Sequence, residues 1–173
     1  MDDPDNAMAE LTQAVDKGST EALLLLGMVY LDQEDSSGAR SFYQQYIDAG
    51  GENPAKGYNG LALCDIADGV YDSALENISR GLEDAESDEM RDLLFNEIVV
   101  YEKQMDFTTA LSKASAYVEM FQDDQAAARE LVFLQSRTGN MQSSQTDSTT
   151  DTSDSGSAEG TADDSTDESS EEN

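Results

Sequence analysis

The sequence predicts an all-α protein: a solenoid of antiparallel helix pairs, about eight helices long, followed by an acidic tail. Three observations carry that expectation. Ala39, Ala74 and Ala110 lie 35 and 36 residues apart, and their neighbours recur in step. Self-similarity at such a period marks stacked helix pairs, each too small to bury its own apolar face. Between the alanines, large apolar residues recur at spacings of three and four, which places them on one face of a helix. Beyond residue 142 the composition changes abruptly.

The elements follow in chain order. Residues 4–17 read as a lone second helix, with Ala7 in the place of Ala39 and an apolar stripe at Met8, Leu11 and Val15. A first helix over 20–32 carries Leu23, Leu26, Gly27 and Tyr30, and its partner spans 37–49. The turn between them has Glu34 where the next repeat has Gly69, and Ser36 where the next has an aromatic, so it reads as degenerate. Gly50-Gly51 ends that pair. Asn53-Pro54 is an N-cap followed by a first-turn proline, which starts 54–67 with Tyr58, Leu61, Ala62 and Asp65 in the matching places. Gly69-Val70-Tyr71 turns the chain into 72–84. Ser87 caps 88–104, with Leu94, Glu97, Ile98 and Tyr101; Met105-Asp106-Phe107 turns into 107–121. Asp123 caps a lone first helix over 124–138, Leu131 and Leu134 inward, which Gly139 terminates. A small residue at the eighth position, Gly27 or Ala62, lets the partner helix approach closely; Ile98 does not. The repeats thus run 20–53, 54–88 and 90–123, with half-repeats 4–17 and 124–138, in one domain over 1–142.

The remainder, 143–173, holds 15 Ser/Thr and 10 Asp/Glu and no Lys, Arg, aromatic or large aliphatic residue. Such a segment cannot offset the entropy of ordering its backbone, so a disordered tail is expected. The whole chain carries formal charge -29. That balance argues against nucleic acid as a partner, because phosphate contacts need Lys and Arg.

The repeat pattern resembles the tetratricopeptide repeat family over about residues 4–138, and Lys17-Gly18 through Ala22, Leu26-Gly27 and Tyr30 also resembles the related Sel1-like repeat. The family's Trp is absent, Gly51 and Glu86 stand where its proline is usual, and Asp65 stands where Tyr is usual. The resemblance implies a right-handed superhelix whose inner groove is lined by the second, fifth, ninth and twelfth positions of each first helix. The fifth and ninth fall at Leu24 and Met28, Asn59 and Leu63, Phe95 and Val99, and Arg129 and Phe133. It implies a non-catalytic module that binds a protein or peptide in that apolar groove, with Phe95 as central anchor and Asn96 beside it for a backbone hydrogen bond. The family's clamp for chaperone C-termini needs Lys and Asn where this chain has Leu24 and Met28, so that ligand is not expected.

Chemistry is sparse. There is no His, the side chain best suited to proton transfer near neutrality. Paired carboxylates, Asp2-Asp3 and Asp123-Asp124, sit at expected helix starts, where negative charge favours the helix dipole. With one Cys and no His, neither a zinc nor a copper site is expected, and the acidic runs lack a calcium loop. No cofactor is expected. Cys64 reads as a small buried hydrophobe with nothing basic nearby. Met28, Met90 and Met105 read as core or groove filler. The acidic surplus reads first as a solvating surface, with salt adaptation or mimicry of nucleic acid as sharper alternatives. The groove, rather than the acidity, is expected to set partner choice.

The longest apolar run, Ala22 to Leu31, is too short for a bilayer, which needs roughly 20 residues. No membrane span is therefore expected, and a cytoplasmic location is the default. A bacterial envelope accessory lipoprotein is the alternative, with its signal removed, the solenoid acting as spacer and the tail as solvated stalk.

Overall fold

The computed structural model describes residues 4–147, with side chains from 7 to 139. They form eight α-helices: α1 Pro4–Asp16, α2 Thr20–Asp32, α3 Ser36–Asp48, α4 Pro54–Asp68, α5 Tyr71–Glu83, α6 Ser87–Lys103, α7 Phe107–Met120 and α8 Gln125–Asp147. Every start falls within one residue of its expected place, and so does every end except the last. Among the described residues there is no strand.

Each helix packs on its neighbours in sequence. In addition α2 touches α4 and α4 touches α6, whereas the second helices α3, α5 and α7 have no comparable contact with one another. Helices two apart in sequence approach only on the side of the first helices. The array therefore curves with α2, α4 and α6 on its inner face, as a helical solenoid does. Ala39, Ala74 and Ala110 are all fully buried, which is what the crossing of paired helices requires. Ala7, in the corresponding place of α1, is exposed, and among the described residues no helix crosses it there.

The three tight turns within repeats share one geometry. Glu34, Gly69 and Met105 adopt φ of 61°, 73° and 61°. In each, the left-handed residue donates its N–H to the carbonyl three back, and the next residue donates to the carbonyl five back: Asp35 to Tyr30 at 2.9 Å, Val70 to Asp65 at 2.8 Å, Asp106 to Tyr101 at 2.9 Å. These are Schellman closures. The first turn is thus not degenerate, despite Glu34. The residue that completes the closure also caps the next helix, Asp35 through Gly38 N–H and Asp106 through Thr109 N–H. Val70 caps without a side-chain bond.

Between repeats, a tyrosine ties the connection down. Tyr46 Oη donates to the Asn53 carbonyl and accepts from the Asn53 N–H, at 3.1 and 3.0 Å, while Asn53 caps α4 through Ala55 N–H. In the corresponding place of the third repeat Tyr117 Oη donates to Asp124 at 2.8 Å, and Asp124 caps α8 through Ala126 and Ala127. Asp124 is therefore the cap expected of Asp123, which instead pairs with Arg91 at 3.2 Å. Ser87 is not a cap either: it is already helical, and Glu86 precedes it without a side-chain bond. Repeat two has Gly81 in the tyrosine's place, packed against Leu93 and Tyr58.

Gly139 does not end α8, which runs on to Asp147. A Cβ added at Gly139 would meet nothing within 4 Å, so no packing contact at that position calls for a turn. The first residues of the expected tail, 143–147, accordingly belong to α8, while the expectation for 148–173 lies outside the described residues. So does the pair Asp2-Asp3.

Candidate concave groove

Tyr43 of α3 sets the floor. Its ring lies between Gly27 of α2 and Gly60 of α4; a Cβ added at Gly27 would come within 2.7 Å of it, and one at Gly60 closer still. The eighth-position glycine thus works as expected, and Gly60 is its unexpected counterpart on the next helix. Burial pushes the Tyr43 hydroxyl up to about 12, so it remains neutral.

Over this floor opens a cleft of about 420 Å³ between α2, α4 and the start of α6. Four expected groove residues line it: Leu24, Met28, Asn59 and Leu63. Leu24 is buried, Leu63 is half-buried, and Met28 stands 56% exposed beside exposed Leu25. A second cleft of about 400 Å³ continues along the inner face and shares Asn59 and Leu63 with the first, adding Phe95 and Asn96. Asn96 is not free for a ligand: its Nδ2 donates to Asn59 Oδ1 at 2.7 Å, joining α6 to α4. Phe95 packs edge-on against Tyr117, with centroids 5.8 Å apart, so part of its ring belongs to the core.

Val99, Arg129 and Phe133 line neither cleft. Val99 is half-buried, whereas Arg129 and Phe133 are exposed, Phe133 by 51%. Helix α8 lacks the contact with α6 that α2 makes with α4 and α4 with α6. Arg137 instead stacks over Phe107 at 4.4 Å, fastening α8 to α7. The groove is therefore gathered at α2, α4 and α6 and opens out at α8.

The rim of the first cleft is acidic. Glu21, Asp88, Glu89 and Asp92 surround it, and Lys56 is its one basic residue. Glu21, Asp88 and Glu89 lie in first turns, where the helix dipole favours them. Asp92 lies beyond the first turn, so the dipole does not account for it. Burial, and then the carboxylates of Glu89 and Asp88, hold the Asp92 carboxyl above its ordinary range. Glu21, Lys56 and Asp92 occupy the second position of their repeats, counted from Thr20, Ala55 and Arg91, so the repeat register itself places them together on the inner side.

A polar cluster lies beside the groove. Asp65, 3% exposed, accepts from Arg40 Nη1 and from Asn77 Nδ2, both at 2.7 Å. Arg40 also reaches Asp68 at 2.9 Å. Cys64 next door is buried and free. Burial pushes its thiol up to about 11; Arg40 is a basic neighbour that pulls the other way and loses. The thiol is accordingly protonated and unreactive at neutral pH. Met105, 73% exposed, is a turn residue and not the core or groove filler expected; Met90 does pack into the core. Among the described residues no group of three His, Cys, Asp or Glu could hold a metal ion, and no helix is long and apolar enough to cross a membrane.

Fold and groove together define the class, an all-α chain of stacked helix pairs with an inner face formed by the first helices. No family model matches the chain, and no curated protein matches its sequence.

Proposed function

We propose that the protein is a non-catalytic interaction module of the tetratricopeptide-like kind, which holds a peptide or helix of a partner protein in its inner groove. One observation carries this: Leu24, Met28 and Leu63, from two helices of different repeats, converge on one open cleft with Met28 and Leu25 left to solvent. Apolar side chains gathered in a concavity and rimmed by charge are the usual mark of a binding surface. The neutral, buried state of Cys64 and Tyr43 supports a non-catalytic role.

Met28 tests the proposal better than Phe95 does, because Phe95 also supports Tyr117, whereas Met28 is exposed and can be changed without opening the core. A photo-crosslinking residue at Met28 should capture the partner recovered by pull-down, and one at the exposed Gln44 of outer helix α3 should not. Met28→Ser should weaken that complex by about 1 kcal/mol, read by titration calorimetry. Equal capture at both places would reject the groove.

A further inference from the structure

Building on the groove as a docking surface, we infer that the occupant of the α2–α4–α6 cleft is a cationic amphipathic segment, whose apolar side chains enter the cleft while its Lys or Arg side chains meet the acidic rim. The argument is charge complementarity around an apolar floor. Glu21, Asp88, Glu89 and Asp92 ring the opening, and none of them forms an ion pair within the described residues. The acid continues past the mouth. An adjoining cleft of about 630 Å³, along the edge where α4 and α6 begin, is lined by Glu52, Asp84 and Glu86 as well as Glu21 and Glu89. A ligand anchored between Leu24, Met28 and Leu63 therefore extends over an almost wholly anionic edge. Lys56 is the sole basic residue lining either cleft.

Other occupants fit worse. Residues 143–173 bear ten carboxylates and neither a basic nor a large apolar side chain, so the chain's own C-terminal segment has nothing to place on an apolar floor and is repelled by the rim. A second copy brings the same charge of -29, which opposes self-association through an acidic face. A segment with Lys or Arg about a short apolar patch satisfies floor and rim together. It also relieves the crowding of carboxylates at Asp88, Glu89 and Asp92. Binding through this cleft should consequently weaken with salt, unlike the salt-indifferent binding expected of a purely apolar groove.

The test selects short random peptides, displayed on phage, against the full chain. Enriched peptides are synthesised and titrated by fluorescence anisotropy at about 0.05 and about 0.3 M salt, where screening differs strongly. Three forms of the protein are compared: wild type, Met28→Ser, and the rim variant Asp88→Asn/Glu89→Gln/Asp92→Asn, with circular dichroism verifying the fold of each. The expected peptides carry Lys or Arg flanking Leu, Ile or Phe. They lose at least about tenfold in affinity in the rim variant, as much again in the higher salt, and severalfold in Met28→Ser. Peptides that depend on Met28 but are neutral or acidic, or are indifferent to the rim variant, would overturn the cationic inference and leave the groove standing. Peptides that ignore Met28→Ser, or no enrichment at all, would overturn both.

Discussion

At the scale of the residue, Asp65 shows how a repeat protein tolerates a polar core position. Residues 30 and 42 of repeat one form an aromatic pair, Tyr30 and Phe42, with centroids 5.1 Å apart. The same two places in repeat two hold Asp65 and Asn77, joined by a hydrogen bond. A buried carboxylate beside one amide is costly unless a cation joins it. Arg40 supplies that cation from α3, where the other repeats have Leu75 and Leu111. Breaking such a pair leaves an uncompensated charge, which typically costs 3–5 kcal/mol; because Arg40 is partly exposed, about 2–3 kcal/mol is the better expectation for Arg40→Leu. The triple change Arg40→Leu/Asp65→Tyr/Asn77→Phe restores the aromatic pair of repeat one and should match or exceed wild-type stability in urea unfolding. A triple variant as unstable as the single one would show that the cluster is more than a replaced aromatic contact.

At the scale of the element, the three turns differ in the residue that bears the left-handed backbone. A side chain there costs about 1–2 kcal/mol, which glycine avoids at some entropic expense. Glu34→Gly and Met105→Gly should therefore each raise stability by about 0.5–1 kcal/mol, and Gly69→Ala should lower it by about 1 kcal/mol. Thermal melts of the three variants check this, and a fall on either glycine substitution would count against the geometry.

The pairing of Glu102 on α6 with Glu130 on α8 is a second element-level device. Glu102 stands where the other repeats have Leu31 and Ile66, and its Oε1 is sealed from solvent with no donor in reach. Burial, and then the neighbouring Glu130 carboxyl, push Glu102 up to about 7, with Lys103 opposing weakly. A shared proton resolves the missing donor. Since the folded protein holds this proton more tightly than the unfolded chain, the contact is fully stabilising below about pH 4.5. Its contribution is lost as pH rises through about 7. The melting temperature of Glu102→Gln should thus exceed that of wild type at pH about 8 and converge with it at pH about 4.5. A constant difference across the range would exclude the shared proton.

At the scale of the whole molecule, the core is a row of three clusters rather than one centre. The first joins α2, α3 and α4 around Tyr43 and Tyr46; the next joins α4, α5 and α6 around Ala74, Ile78 and Leu93; the last joins α6, α7 and α8 around Tyr117 and Leu134. Helix α4 serves the first two through Leu61 and Cys64 on one side and Ala55 and Ala62 on the other. Helix α6 likewise serves the last two. Stability then passes between neighbours through shared helices. Ala74→Leu overfills the middle cluster, an overpacking cost of typically 1–3 kcal/mol, and should speed hydrogen exchange in α4 and α6 as well as in α5. Exchange confined to α5 would mean that the clusters are independent.

The sequence by itself determined the helices, their order and their pairing. Those depend on local periodicity, on caps such as Asn53-Pro54, and on small residues such as Ala39 that recur at one period, all of which can be read along the chain. Of the eight residues expected along the groove, Leu24, Met28, Asn59 and Leu63 line one cleft, and Phe95 lines a second that shares Asn59 and Leu63 with it. Only the tertiary structure decided the rest. That Arg129 and Phe133 leave the groove follows from how α8 packs, chiefly on α7 rather than along the inner face of α6. That α8 continues through Gly139 to Asp147 was likewise not legible, since a glycine marks a possible stop and packing decides whether the chain turns there. That Asp65 and Arg40 meet, and that Glu21, Asp88, Glu89 and Asp92 close around one cleft, depends on the stacking of successive repeats. Distances across that stacking are set by side-chain volume at helix crossings, such as Tyr43 between Gly27 and Gly60, and a linear pattern of polar and apolar residues does not encode them.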